Sequence, residues 1–191
     1  MSLAHRRPKQ PDLVRRQLLD VAAELALEVG VGGLRLDAVA RRAGVSKGGL
    51  LHHFPSRQAL LEALCGAYLA EIGARIGAEM AADPVAPGRF SRAYLTVMTG
   101  GAASERERAW GLLSVVLFAE PGFRDRWGDW LAARLAEHRA TDAAPLLDVV
   151  RFAADGVWLA DMCGEAVDPA ARAATVALLR EMTCKGKEAL P

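Results

Sequence analysis

Residues 41–57 read RRAGVSKGGLLHHFPSR, and the fold turns on how this stretch is divided. Its neighbours on both sides look helical, yet it holds three glycines, two adjacent histidines and a proline. A glycine inside a helix costs roughly 1 kcal/mol relative to alanine. The pair Gly48–Gly49, just after Lys47 and just before His52 and His53, therefore needs a reason. Dividing the stretch at Gly44 supplies one. Leu36, Val39, Ala40 and Ala43 form a short helical stripe that stops at Gly44. Ser46 can cap a following helix. That helix must end near Phe54, because Pro55 disfavours helical geometry in the residue before it. Ser56 then stands as the next N-cap.

Working outward, the same reasoning predicts helices throughout. Val14, Leu18, Val21, Ala22, Leu25 and Val29 mark one face of a first helix from Asp12, ended by Gly30, Gly32 and Gly33. Leu60, Leu61, Leu64, Tyr68, Ile72 and Ile76 mark a long fourth helix. The segment DPVAPG (83–88) breaks the chain. Further helices are expected at about 89–99, 104–119, 123–139, 145–164 and 169–185, separated by GG (100–101), PG (121–122), TDAAP (141–145) and VDP (167–169). No segment alternates with period two and no internal repeat appears. The expected fold class is all-α with about nine helices.

The chain of 191 residues is 52% hydrophobic and 25% charged, enough apolar content for a packed core. No apolar run reaches the roughly 18–20 residues needed to span a bilayer. The N-terminus MSLAHRRPKQPD has basic residues but no apolar stretch behind them, so a signal peptide is not expected and the location expected is cytoplasmic. Cys65, Cys163 and Cys184 are widely spaced and form no CxxC pair, which argues against a disulfide framework and a structural zinc site. Net charge is only +1, but its distribution is uneven. Residues 1–57 hold ten Lys/Arg against five Asp/Glu, a net of +5, and the remainder carries −4. That asymmetry suggests a polyanion-binding head on a body that does not bind polyanions.

The short helix, the turn AGVS and the second short helix make a helix-turn-helix layout, in which the second helix enters the major groove of DNA. Small Ala43 lets the helices cross closely, Gly44 supplies positive φ, and Val45 and Leu50 hold the second helix down. Lys47, Gly48 and Gly49 then face the base edges. Glycine lets the backbone approach, and Lys47 can reach a guanine edge. The start of that helix also offers free N–H groups to a phosphate. His52, His53 and Arg57, one to two turns on, suit the sugar–phosphate backbone. A metal role for the histidines is not expected, since adjacent helical residues diverge and no third ligand is near. No nucleophile–base pair, phosphate loop or metal spacing supports catalysis, and no cofactor is expected.

The string LRLDAVARRAGVSKGGLLHHFPSRQALLEAL (34–64) resembles the DNA-binding signature of the TetR family of bacterial transcriptional regulators. The resemblance covers roughly residues 12–64. It implies an Ω-shaped homodimer in which helices one to three bind operator DNA, helix four transmits a signal, and a C-terminal bundle binds a small-molecule effector and dimerises. It also places Lys47, Gly48, Gly49 and Leu51 at base-contacting positions, and Ser46, His52, His53 and Arg57 at phosphate-contacting ones. Arg35 falls where a threonine commonly caps the second helix and touches the DNA backbone. Two departures matter. Leu51 replaces a frequent tyrosine, which loses a phenolic contact and permits one to a thymine methyl. Arg35 cannot cap as threonine does, though it can meet a phosphate.

Beyond residue 64 the resemblance fades. The helix over 145–164 is apolar on nearly every face, so it is expected to be buried in a core or an interface. With the last helix it could form a four-helix dimer interface, through Phe152, Gly156, Val157, Ala174, Ala177 and Leu178. Phe90, Tyr94, Met98, Trp110, Phe118, Trp127 and Trp130 are candidates for an effector pocket, alongside Phe123, although such a stripe also reads as plain core. Arg89, Arg92, Thr96, Arg134 and Asp155 are polar groups that could orient a ligand. The expected organisation is a basic arm over residues 1–11, a DNA-binding domain over 12–57 and a ligand and dimerisation domain over 58–191. The function expected is a repressor released from its operator by a small ligand. The alternative is a helical ligand-binding or scaffolding protein whose head no longer binds DNA.

Overall fold

The structure, a computed structural model, describes residues 11–100, 105–164 and 167–185. Apart from Pro11, the basic arm expected over 1–11 lies outside them. Among the described residues the chain is all-α, with ten helices and no strand. They are α1 (Pro11–Gly33), α2 (Leu36–Arg42), α3 (Lys47–His53), α4 (Arg57–Ala82), α5 (Arg89–Thr99), α6 (Glu105–Phe118), α7 (Pro121–Glu137), α8 (Arg139–Asp142), α9 (Pro145–Cys163) and α10 (Pro169–Lys185). The helix beyond the expected nine is α8, a four-residue piece that enters the segment read as a break at 141–145.

The chain divides into two compact units, Met1–Ala67 and Tyr68–Pro191. The division falls within α4, ten residues beyond the expected boundary after residue 57.

In the first unit α1 buries Leu18, Leu19, Ala22, Ala23 and Ala26. This corrects the expected stripe. Val14, Val21 and Leu25 sit at its half-buried edge, and Val29 is 55% exposed. The helical path breaks at Gly30 (φ 73°, ψ 162°), where the first helix is expected to end, and beyond it Val31 is buried. Arg42 of α2 pairs with Glu28 at 2.7 Å and Glu24 at 3.5 Å, and Gln17 donates to the Ala43 carbonyl at 3.2 Å. These contacts tie α2 to α1. The stripe of α4 (Leu60, Leu61, Leu64, Tyr68, Ile72, Ile76) is buried as expected.

In the second unit the enclosed helix is α5, which packs against α8, α9 and α10 and buries nine of its eleven residues. The helix over 145–164, expected to be buried in a core or an interface, buries one face within the chain. On α9 Leu147, Val150, Arg151 and Ala154 face inward, whereas Val149, Phe152 and Leu159 are exposed in the single chain. The more polar α5 tolerates burial because its buried Ser91, Arg92 and Thr99 side chains are hydrogen-bonded. Ser91 bonds Asp142, Thr99 bonds the Leu95 carbonyl, and Arg92 clamps the preceding loop through Asp83 (2.7 Å) and the Pro87 (2.8 Å) and Val85 (2.5 Å) carbonyls. Burial alone would raise the Asp83 carboxyl, but the Arg92 contact holds it below the ordinary carboxylate range. Gly88 precedes α5 at φ +69°, with the Thr183 carbonyl 2.7 Å from where a Cβ would lie, so only glycine fits.

Candidate nucleic-acid interface and ligand cavity

The turn between α2 and α3 is a Schellman motif. Gly44 has φ +67°, its N–H donates to the Arg41 carbonyl at 3.2 Å, and the Val45 N–H donates to the Ala40 carbonyl at 3.0 Å. Ser46 then opens α3 by accepting from the Gly49 N–H at 3.0 Å. Leu50 is completely buried, and Val45 is half-buried beside the turn. Phe54 closes α3, 1% exposed, beneath the Arg15 guanidinium, whose carbon lies 5.0 Å from the ring centre.

This scaffold leaves Lys47, Gly48, Gly49 and His52 exposed and Leu51 and His53 partly so. Ser46 is exposed too, and its hydroxyl hydrogen is still available to donate after the cap bond is made. A Cβ at Gly48 would meet nothing within 4 Å, so its absence serves no packing need within the chain. Gly49 differs, because a Cβ there would lie 3.2 Å from the Ser46 hydroxyl and crowd the cap. Lys47 and Arg41 form no ion pair among the described residues.

Two arginines of the site have roles inside the chain. Arg35 precedes α2 without a side-chain cap bond and pairs with Asp37 at 3.2 Å, which lowers the Asp37 carboxyl below its ordinary range. Arg57 donates from Nε to the Leu34 carbonyl (3.0 Å) and from Nη2 to the Val31 carbonyl (2.5 Å). It thereby satisfies carbonyls where α1 ends, a role that no local sequence pattern announces. His52 and His53 stand edge to face at 5.4 Å, and no group of three metal-ligating side chains occurs among the described residues.

In the second unit the candidate pocket residues separate. Met98, Phe118 and Trp127 line a cavity of about 300 Å³ with Tyr68, Asp155, Gly156, Trp158 and Leu159. Phe90 and Trp130 line another of about 410 Å³, with Ile76 and Met80 on its apolar side and Arg89, Arg134, Glu137 and His138 on its polar side. Tyr94 and Trp110 line neither. Tyr94 is fully buried and donates to Asp155 Oδ1 at 2.5 Å, and Trp110 stacks on Tyr68 at 6.3 Å. Phe123 is also core, edge to face with Phe118 at 4.9 Å. Burial pushes the Tyr68 and Tyr94 hydroxyls and the Asp155 carboxyl above their ordinary values. Of the polar candidates, Arg92 is spent on its loop and Thr96 accepts from Arg180 at 2.8 Å. Arg89, Arg134 and Asp155 remain as cavity-lining groups. Trp158 was not among the expected pocket residues, because an all-apolar helix gives no sign of which side meets a void.

The candidate interface residues Phe152, Gly156, Ala174, Ala177 and Leu178 are exposed in the single chain, Phe152 by 73%, and Val157 is half-exposed.

Comparison with known proteins matches residues 18–64 to "Bacterial regulatory proteins, tetR family" and residues 88–184 to "Tetracyclin repressor-like, C-terminal domain". The HTH-type transcriptional regulator BetI of Escherichia coli is 47% identical over 49 residues, which is 26% of this chain and 25% of BetI. The match thus spans about a quarter of the length of this curated relative. A solved transcriptional regulator from Rhodococcus sp. Rha1 superimposes with a TM-score of 0.66 at 22% identity, over 96% of this chain and 100% of that one. NalD of Pseudomonas aeruginosa, the secondary repressor of the MexAB-OprM multidrug efflux pump, does so with a TM-score of 0.63 at 16% identity, over 93% and 98%. At these identities the two solved structures show a shared fold.

Proposed function

The chain belongs to the TetR family of bacterial transcriptional regulators, and on that premise we propose that it is a repressor released from its operator by a small molecule. The observation that carries this reading is the uncovered face of α3. Lys47, Gly48, Gly49 and His52 stand exposed there, on a helix anchored by the Schellman turn and by buried Leu50. In this reading Lys47 and Leu51 contact base edges through the major groove. Ser46, Arg35, His52, His53 and Arg57 contact the sugar–phosphate backbone, Arg57 through the part of its guanidinium not spent on carbonyls. The apolar surface of α9 and α10 pairs with its copy, so two heads read a palindromic site. The name of NalD as a repressor supports the sign of regulation.

Release requires an effector that binds the DNA-incompetent form better than the competent one. The cavity of about 300 Å³ beside Trp127 and Trp158 is the proposed site. Coupling of about 1–3 kcal/mol would lower operator affinity about 5- to 150-fold, and by reciprocity operator must weaken effector binding by the same factor. The test selects an operator from random duplexes and measures its affinity at several salt concentrations, with and without effectors found by screening. A salt-dependent, sequence-specific complex weakened by such a molecule is the expected result. Selection that enriches no sequence would leave a helical protein whose head does not read DNA. Effectors that bind equally with and without operator would leave a constitutive DNA-binding protein.

A further inference from the structure

The cavity beside Asp155 combines two features. One is a wall of rings, with the centre of Phe118 5.7 Å from Trp127 and 6.0 Å from Trp158, and Tyr68 completing the lining. The other is the Asp155 carboxylate. Among the described residues its hydrogen bond is the one donated by the Tyr94 hydroxyl, and no cation lies within ion-pair distance. Two arginines act on this wall electrostatically, Arg151 on Asp155 and Arg75 on Tyr68. Arg151 is already committed, to the Asp148 carboxylate and to Ser91 Oγ at 2.5 Å.

Aromatic faces are the negative side of the ring quadrupole, and tryptophan attracts cations most strongly. A carboxylate set among such rings makes the lining apolar and negative together. An anion would be repelled there. A neutral apolar molecule would gain from the rings but would leave the carboxylate without a counter-charge.

We propose that the effector is an organic cation, an ammonium or a delocalised cation with apolar substituents, held with its positive centre at Asp155 between Trp127 and Trp158. This rests on the reading of the second unit as the effector-binding body and narrows it to one chemical class.

The test compares benzyltrimethylammonium with neopentylbenzene, the same shape with carbon in place of the charged nitrogen, by equilibrium dialysis against the full chain without DNA. The cation should bind at least about tenfold more tightly than its isostere. Asp155→Asn, which keeps an acceptor for Tyr94, should remove that difference and leave isostere affinity within about twofold. Equal affinities in the unsubstituted chain, binding of neither probe, or unchanged cation affinity in Asp155→Asn would overturn the proposal. The first comparison needs no variant, so it stands even if Asp155→Asn folds poorly, which a circular dichroism melt would reveal. Operator affinity is measured separately. A cation that binds but leaves it unchanged would sink ligand release and not the charge class, whereas equal binding of the isostere would sink the charge class alone.

Discussion

Asp142 caps the helix that carries Ser91, although the two residues are 51 positions apart. Its carboxylate accepts from the Ser91 N–H at 2.8 Å, the Ser91 hydroxyl at 2.6 Å and the Phe90 N–H at 3.4 Å. The residue preceding α5 is Gly88, which offers no side-chain cap of its own. The four-residue α8 exists at the point where this distant cap must be delivered.

Asp142→Ala should therefore destabilise the second unit by about 2–4 kcal/mol, combining loss of a cap with buried donors left unpaired. Urea denaturation of the full chain measures it. A change under about 0.5 kcal/mol, the usual size for a neutral surface site, would show that α5 does not depend on this cap.

Arg57 and Lys47 should separate stability from DNA binding. Arg57→Ala removes two charge-assisted bonds to carbonyls and should cost about 1–3 kcal/mol of stability. Lys47→Ala should leave stability within about 0.5 kcal/mol. It should weaken operator binding and, if it meets a phosphate as well as a base, reduce the salt slope by about one unit. Denaturation curves and salt-series binding isotherms on both variants decide between the roles.

Gly48 is the sharper probe of close approach to DNA. Gly48→Leu meets open space within the chain and should raise stability by up to about 1 kcal/mol through helix propensity, while abolishing specific operator binding. A variant that binds operator normally would show that this backbone does not approach the bases. Gly49 is less informative, because a side chain there also presses on the Ser46 cap.

What the sequence disclosed was punctuation. Gly44, Ser46, Pro55, Ser56, Pro121 and Pro145 stand where helices stop or start, because turn and cap chemistry is local. Partners distant in sequence leave no such trace. Nothing near Asp142 announces a cap for α5, and nothing near Arg57 announces the Val31 carbonyl. On the first helix the break at Gly30 was legible, but the periodicity misplaced the buried face, which runs through Leu19, Ala23 and Ala26 and leaves Val29 exposed. In the second unit composition drew attention to α9 and gave no sign that α5 is the helix enclosed within the chain. α5 carries Arg, Ser and Thr and is still buried, with Ser91 bonded to Asp142, Arg92 to Asp83, and Thr99 to the Leu95 carbonyl of its own helix.

Asp155 gives a pH signature. Burial raises its carboxyl above the ordinary value, so the folded chain holds this proton more tightly than the unfolded chain does. Its contribution to stability is fully present below the unfolded value of 3.8 and is lost as pH rises through the folded value. Asp155→Asn should therefore gain stability relative to the unsubstituted chain as pH rises from about 4 to 7. Paired urea melts at the two pH values measure this difference, and other acids common to both proteins cancel. A difference independent of pH would contradict the burial argument.

The open surface of α9 and α10 should be what joins two copies. Phe152→Glu and Leu178→Glu alter side chains exposed by 73% and 57%, so the single chain should keep its helical content. Sedimentation should show the dimer lost in the double variant. A dimer that persists would move the interface elsewhere.

The distant cap on α5 also sets an order of folding during synthesis. Among the described residues, the bonds from Gln17 and Arg57 in the first unit span 26 positions, whereas bonds of the second reach 51, 61 and 84. Loops of that length close more slowly than local ones. On the ribosome, residues 12–64 emerge long before Asp142 has been made. The nascent chain thus holds its whole first unit while α5 still lacks its cap, so on the function proposed above the ability to bind would come before the ability to be regulated.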